Sequence, residues 1–236
     1  MKIIISAGVL AFVFTSCEVL KQLPDSYGTT SGLSETEIRE GLTEALEIGI
    51  KNSVMEASKT NGFYHNQKIK VPFPMEAHKV RDAAIDFGMK KQVEEFEKTL
   101  NRAAENASTE VKPIFMKALK EMTIKDARNI LKGEEDAATR YFERKTRDEL
   151  ETVCYPEIEK VTSRVQLTKH WEPLIKTYNR VRVMSGDPKI NPDLNQYVTE
   201  KTIDGLFVLI AKEEKQIREN PEKRVTDILK KVFGSL

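Results

Sequence analysis

A carboxylate on an apolar helix face is the strongest chemical signal in this chain. With Ile203 set at zero and about 100° per residue, Leu206, Phe207, Ile210 and Ile217 cluster around one direction. Glu214 falls inside that cluster, and Arg218 follows one turn later near its edge. A carboxylate there must pair, take up a proton or open onto a cavity. On the stretch from Asp136 to Val153, Lys145 falls between Ala138, Tyr141 and Phe142, with Glu149 one turn on. Asn101, Arg102 and Glu105 lie on a third helical face, on the flank opposite Phe96, Leu100 and Ala103. Two arrangements fit this pattern. In one, the inward charges form an internal salt bridge or ion-pair network, and the Asn101 flank is a solvated face. In the other, Glu214, Arg218, Lys145 and Glu149 line a polar pocket inside a bundle, and Asn101, Arg102 and Glu105 form its second wall or a contact with another helix. Such a pocket would receive a small ligand or perform acid–base chemistry.

Familiar catalytic and metal motifs do not occur. His65, His78 and His170 supply none of the Glu-x-x-His pairs of a di-metal bundle. No His-Glu-x-x-His, phosphate-binding loop, dinucleotide fingerprint or nucleophile elbow is present. The run Lys132-Gly133-Glu134-Glu135-Asp136 lacks the alternating oxygen ligands of a calcium loop and reads as a helix end followed by acids at the next helix start. The expectation is therefore no metal, no cofactor and no assignable catalytic residue, with an enzyme kept as an alternative.

The N-terminus carries an address. Met1-Lys2 is a basic start, Ile3 to Phe14 is an almost unbroken apolar run too short to span a membrane, and Thr15-Ser16 precede Cys17. This describes a secretory signal over residues 1–16 that ends on a cysteine to be acylated, although Phe14 stands where such signals usually carry an aliphatic residue. One acyl chain anchors marginally, and the bacterial modification supplies three. Glu18, rather than aspartate, follows the cysteine, which favours the outer over the inner membrane. Residues 17–33 read as a lipidated tether and 34–236 as a single helical domain. Loss of the first sixteen residues would leave 37 basic and 37 acidic side chains, so there is no excess charge for nucleic acid. Cys154 then lacks a partner and is most simply buried and inert, a Cys17–Cys154 disulfide being the alternative.

Those chemical residues need elements to hold them. Ser34-Glu35-Thr36-Glu37 is a capping box that starts a helix, and Asn61-Gly62 stops it. Pro72 and Pro74 make residues 63–74 an extended arm or small hairpin. Gly88 ends a short helix, and Val93, Phe96, Leu100, Ala103, Ala104 and Ala107 share a face of the next. Thr123-Ile124-Lys125-Asp126 opens another helix that Gly133 closes. Pro156 ends or kinks the helix that begins near Asp136. Residues 186–192 form the largest internal loop, and Asn220-Pro221 starts a final helix. The reading is an all-α multi-helix bundle of roughly eight to ten helices with one small extended arm.

Several phrases match a family pattern. Among them are Asn101-Arg102-Ala103-Ala104-Glu105, Asp126-Ala127-Arg128-Asn129-Ile130-Leu131-Lys132-Gly133 and Ala137-Ala138-Thr139-Arg140-Tyr141-Phe142. Tyr197-Val198-Thr199, Asp204-Gly205-Leu206-Phe207, Ile210-Ala211-Lys212-Glu213-Glu214 and Val232-Phe233-Gly234 continue the match. From about Gly32 to Gly234 the chain resembles the domain of unknown function 4197, a family of bacterial envelope proteins. The resemblance implies a helical domain behind an export signal and transfers no catalytic residue. The leading expectation is a non-catalytic envelope lipoprotein, membrane-attached through its N-terminal lipid, that binds a small ligand or a protein partner. An enzyme with acid–base chemistry in the pocket and a purely structural lipoprotein are the alternatives.

Overall fold

The computed structural model describes residues 34–164 and 193–220, together with Trp171, Lys176, Asn179 and Lys230. The expected signal peptide, tether, 186–192 loop and last helix lie outside these. Seven α-helices are described: α1 (Glu35–Ser58), α2 (His78–Asp86), α3 (Lys90–Ala107), α4 (Lys112–Lys120), α5 (Ile124–Lys132), α6 (Ala137–Arg164) and α7 (Leu194–Glu219). A 3-10 turn at Met75–Ala77 leads into α2, and no strand occurs among the described residues. The fold is all-α.

Both capping boxes form. At α1, Ser34 Oγ accepts from the Glu37 amide at 3.2 Å while the Glu37 carboxylate accepts from the Ser34 amide at 2.8 Å. Thr123 and Asp126 do the same for α5. Each satisfies donors that a helix start leaves unpaired. Beyond α1 the chain turns through Asn61, whose φ of 62° lies in the left-handed region that Asn tolerates. Gly62 then presses onto the helix end, where an added Cβ would come within 2.2 Å of the Glu56 carbonyl oxygen. The arm is non-helical, as its prolines require, but it is a series of turns followed by an extended run rather than a hairpin.

α6 and α7 make the most extensive helix contact, with α3 on α6 and α1 on α7. α1 runs antiparallel to α7: Leu42, Ala45 and Leu46 lie by Ile217 and Arg218, and Asn52 donates to Glu213 at 2.8 Å. The arm continues along α7. Gly205 admits the Phe63 ring so closely that a Cβ there would sit 2.7 Å from it.

The buried positions of α6 recur every four residues: Ala138, Phe142, Thr146, Leu150, Cys154, Ile158 and Thr162. Four residues advance an α-helix by slightly more than one turn, so the buried stripe rotates by about 40° at each step. The first turns of α6 meet α4, where the Tyr141 hydroxyl donates to the Ala118 carbonyl at 2.9 Å. Its last turns meet the start of α7, where Thr162 Oγ1 donates to Asn195 Oδ1 at 2.7 Å. The sequence places a break or kink at Pro156, yet α6 runs through to Arg164. Pro156 is exposed while Cys154 and Ile158 are buried. Solvent can serve the carbonyl that proline leaves unpaired, and packing on the other face holds the helix.

Candidate functional site

Glu214 is 4% exposed and joins three helices. Its Oε1 accepts from the Ala138 amide at 2.9 Å and from the Arg218 guanidinium at 2.9 and 3.2 Å. Its Oε2 accepts from both the amide and the hydroxyl of Thr139, each at 2.9 Å. Ala138 and Thr139 lie in the first turn of α6, where unpaired amides and the positive end of the helix dipole favour a carboxylate. Arg218 reaches the other way and donates to the Ile130 carbonyl, in the last turn of α5, at 2.8 Å. A pair one turn apart on α7 thus caps the end of α5 and the start of α6. The void left beside it, among Leu42, Ala45, Leu46, Ile130 and Ala138, is about 10 Å³, room for one water at most. Here the structure has an internal ion pair joining helix ends.

The remaining residues singled out by sequence lie elsewhere. Lys145 and Glu149, expected to face inward with Glu214, are exposed, and Glu149 meets Lys117 of α4 at 3.1 Å. A single projection fitted to the first turns of α6 puts Lys145 on the buried face. The rotating stripe has moved to Thr146 and Leu150 by that point.

Asn101, Arg102 and Glu105 form a separate cluster under the arm. Asn101 is fully buried. Its Oδ1 accepts from the Val71 amide and its Nδ2 donates to the Val71 carbonyl, both at 2.8 Å. Glu105 accepts from the Phe63 amide at 3.3 Å and from Arg102 at 2.9 Å. Glu97 pairs with Lys70 at 3.0 Å. Positions 97, 101 and 105 are spaced by four, so one stripe of α3 grips the arm, by its backbone at Asn101 and Glu105 and by the Lys70 side chain at Glu97. That spacing was readable, and Glu97 is the member sequence reasoning missed. Thr139 was missed as well, having no signal beyond its place after a helix start.

A wide concavity lies outside the core. A groove of about 840 Å³ runs between the end of α1 with its following loop and the outer face of α7. Lys59, His65 and Lys68 line one side, and Val208, Lys212 and Lys215 the other. A hollow of about 370 Å³ beside Asn52 and Met55 shares Lys59 and Lys212 with it. Lys59 pairs with Glu56 at 2.6 Å. Lys215 pairs with Glu135 and Glu219, whose hydrogen bonds raise its pKa and keep it charged. Lys68 and Lys212 make no ion pair among the described residues. The groove therefore carries unneutralised positive charge beside an apolar strip at Val208 and Leu209. Its two walls are about 150 residues apart in sequence, so no local pattern announces it.

Cys154 is buried and free, and burial pushes its thiol up to about 12, which leaves it protonated and unreactive at neutral pH. Among the described residues, no group of three or more His, Cys, Asp and Glu is placed to hold a metal ion. No described helix is long and apolar enough to cross a membrane. The family profile described as "Protein of unknown function (DUF4197)" matches residues 32–234. No curated protein and no solved structure shows significant similarity.

Proposed function

The chain belongs to the DUF4197 family, and from that premise we propose a non-catalytic cell-envelope lipoprotein whose helical domain binds a small ligand or protein partner in the α1/α7 groove. Cys17 carries the acyl chains, residues 18–33 are the tether, and the domain faces the periplasm, with the outer membrane favoured by Glu18. The order of the basic start, the apolar run and Thr15-Ser16-Cys17 supports this address.

The observation that carries the binding reading is a contrast in how charge is used. Glu214 and Arg218 are engaged by helix ends, whereas Lys68 and Lys212, without an ion pair among the described residues, line an open groove of about 840 Å³. A concave, partly apolar surface with a few free charged groups suits recognition. A purely structural lipoprotein is the second reading, favoured by the Glu214–Arg218 joint. The enzyme alternative required Lys145 beside Glu214, and Lys145 is exposed while buried Glu214 is held by Ala138, Thr139 and Arg218.

Native mass spectrometry of the protein extracted from its own membranes tests the proposal. It predicts a chain beginning at Cys17 with acyl mass added, together with a retained ligand or partner. A chain that keeps residues 1–16, or an acylated chain that never carries a companion, would overturn the first or the second half respectively.

A further inference from the structure

We propose that the turn joining α2 to α3 docks on a membrane surface with anionic headgroups, giving the protein a second contact besides its lipid. Phe87, at the apex, is 85% exposed, and Met89 beside it is 45% exposed. Ile85 and Met75 are also exposed. The other described phenylalanines, at 63, 73, 96, 115, 142 and 207, are buried or partly buried, so Phe87 stands apart. Gly88, with φ of 79°, makes the sharp turn that holds Phe87 and Met89 at the tip. Every residue from Ile85 to Gln92 is exposed, and among the described elements α2 packs chiefly on α3 and the 3-10 turn. The tip of the hairpin is therefore open to a surface.

Charge and reach select the occupant. Lys90 and Lys91 follow the apolar tip directly; Lys90 meets only exposed Glu94, at 3.9 Å, and Lys91 makes no ion pair among the described residues. Together they outweigh Asp86. Apolar side chains that enter the headgroup region, ringed by lysines that meet phosphate, are the chemistry of interfacial attachment. Because α1 runs antiparallel to α7 and the arm carries the chain back along α7, Ser34 and the tip lie at opposite ends of the bundle. α7 alone, at 26 residues, spans about 39 Å. The seventeen residues from Cys17 to Leu33 reach roughly 56–61 Å when extended. Lipid and tip can thus share one leaflet, a point that rests on the lipoprotein reading above.

The test uses the full chain carrying Phe87→Trp, reconstituted with protein-free vesicles and compared with its parent to subtract Trp171. On phosphatidylglycerol-containing vesicles the introduced indole should shift to the blue and be quenched by brominated acyl chains. Vesicles of phosphatidylcholine alone, or the added pair Lys90→Glu and Lys91→Glu, should reduce the fraction of indole inserted in the bilayer about tenfold or more. An indole that stays open to aqueous iodide on protein that sediments with vesicles overturns the proposal and leaves the lipid anchor standing. A blue shift that needs membrane protein extract overturns it in favour of a protein partner. If the chain purified from its own cells carries no acyl mass at Cys17, the anchor reading fails, and the indole readout remains interpretable.

Discussion

Replacing Glu214 with alanine would leave two amides and a hydroxyl at the start of α6 without their acceptor, and the Arg218 guanidinium without its carboxylate. Removing one partner of a buried pair commonly costs about 3–5 kcal/mol, so Glu214→Ala should destabilise by at least about 2 kcal/mol in chemical denaturation. A variant as stable as the parent would mean that the joint contributes nothing. Lys145→Ala, on an exposed position of α6, is the matched comparison and should change little. The inward placement of Glu214 and its pairing with Arg218 were legible because α7 keeps one buried face through that stretch. Lys145 and Glu149 were misread because the α6 face rotates. The backbone partners Ala138 and Thr139 could not be read at all, since they come from another helix.

The same stripe logic governs how α3 holds the arm. Asn101→Ala removes both hydrogen bonds to the Val71 backbone, leaving a buried amide and carbonyl unpaired. The expected loss is about 1–3 kcal/mol, with faster hydrogen exchange at the Val71 amide. Unchanged exchange there would show that the arm is held by its apolar contacts alone. At α5, the Thr123 hydroxyl hydrogen-bonded to the Asp126 carboxylate lowers that acid's pKa. A depressed carboxylate stabilises the folded state above its unfolded pKa of about 4, and the contribution is lost as pH falls through the folded value. The first turn of α5 should therefore lose amide protection on acidification below about pH 4. Thr123→Ala should remove most of that dependence. Helix starts were the most legible elements, because a capping box is local chemistry. The passage of α6 through Pro156 was not legible, because it depends on which face neighbouring helices leave to solvent.

Across the whole molecule, the all-α architecture was readable from apolar periodicity and caps, while the groove was not. Its walls come from residues 56–68 and 208–219, and only the antiparallel packing of α1 on α7 brings them together. Among the described residues, buried Glu214 closes helix ends against each other and buried Glu105 holds the arm, while Lys68 and Lys212, without an ion pair there, line the groove with Val208 and Leu209. Site-specific photo-crosslinking in the cells that make the protein tests this division most directly. A photoreactive residue is placed at Val208 or Lys212 in the groove, or at Lys145 on the outer face of α6, and products are resolved by intact mass. The account predicts one discrete added mass, small ligand or partner chain, from the two groove positions and none from Lys145. Capture at Lys145 with none at Val208 or Lys212 would contradict it.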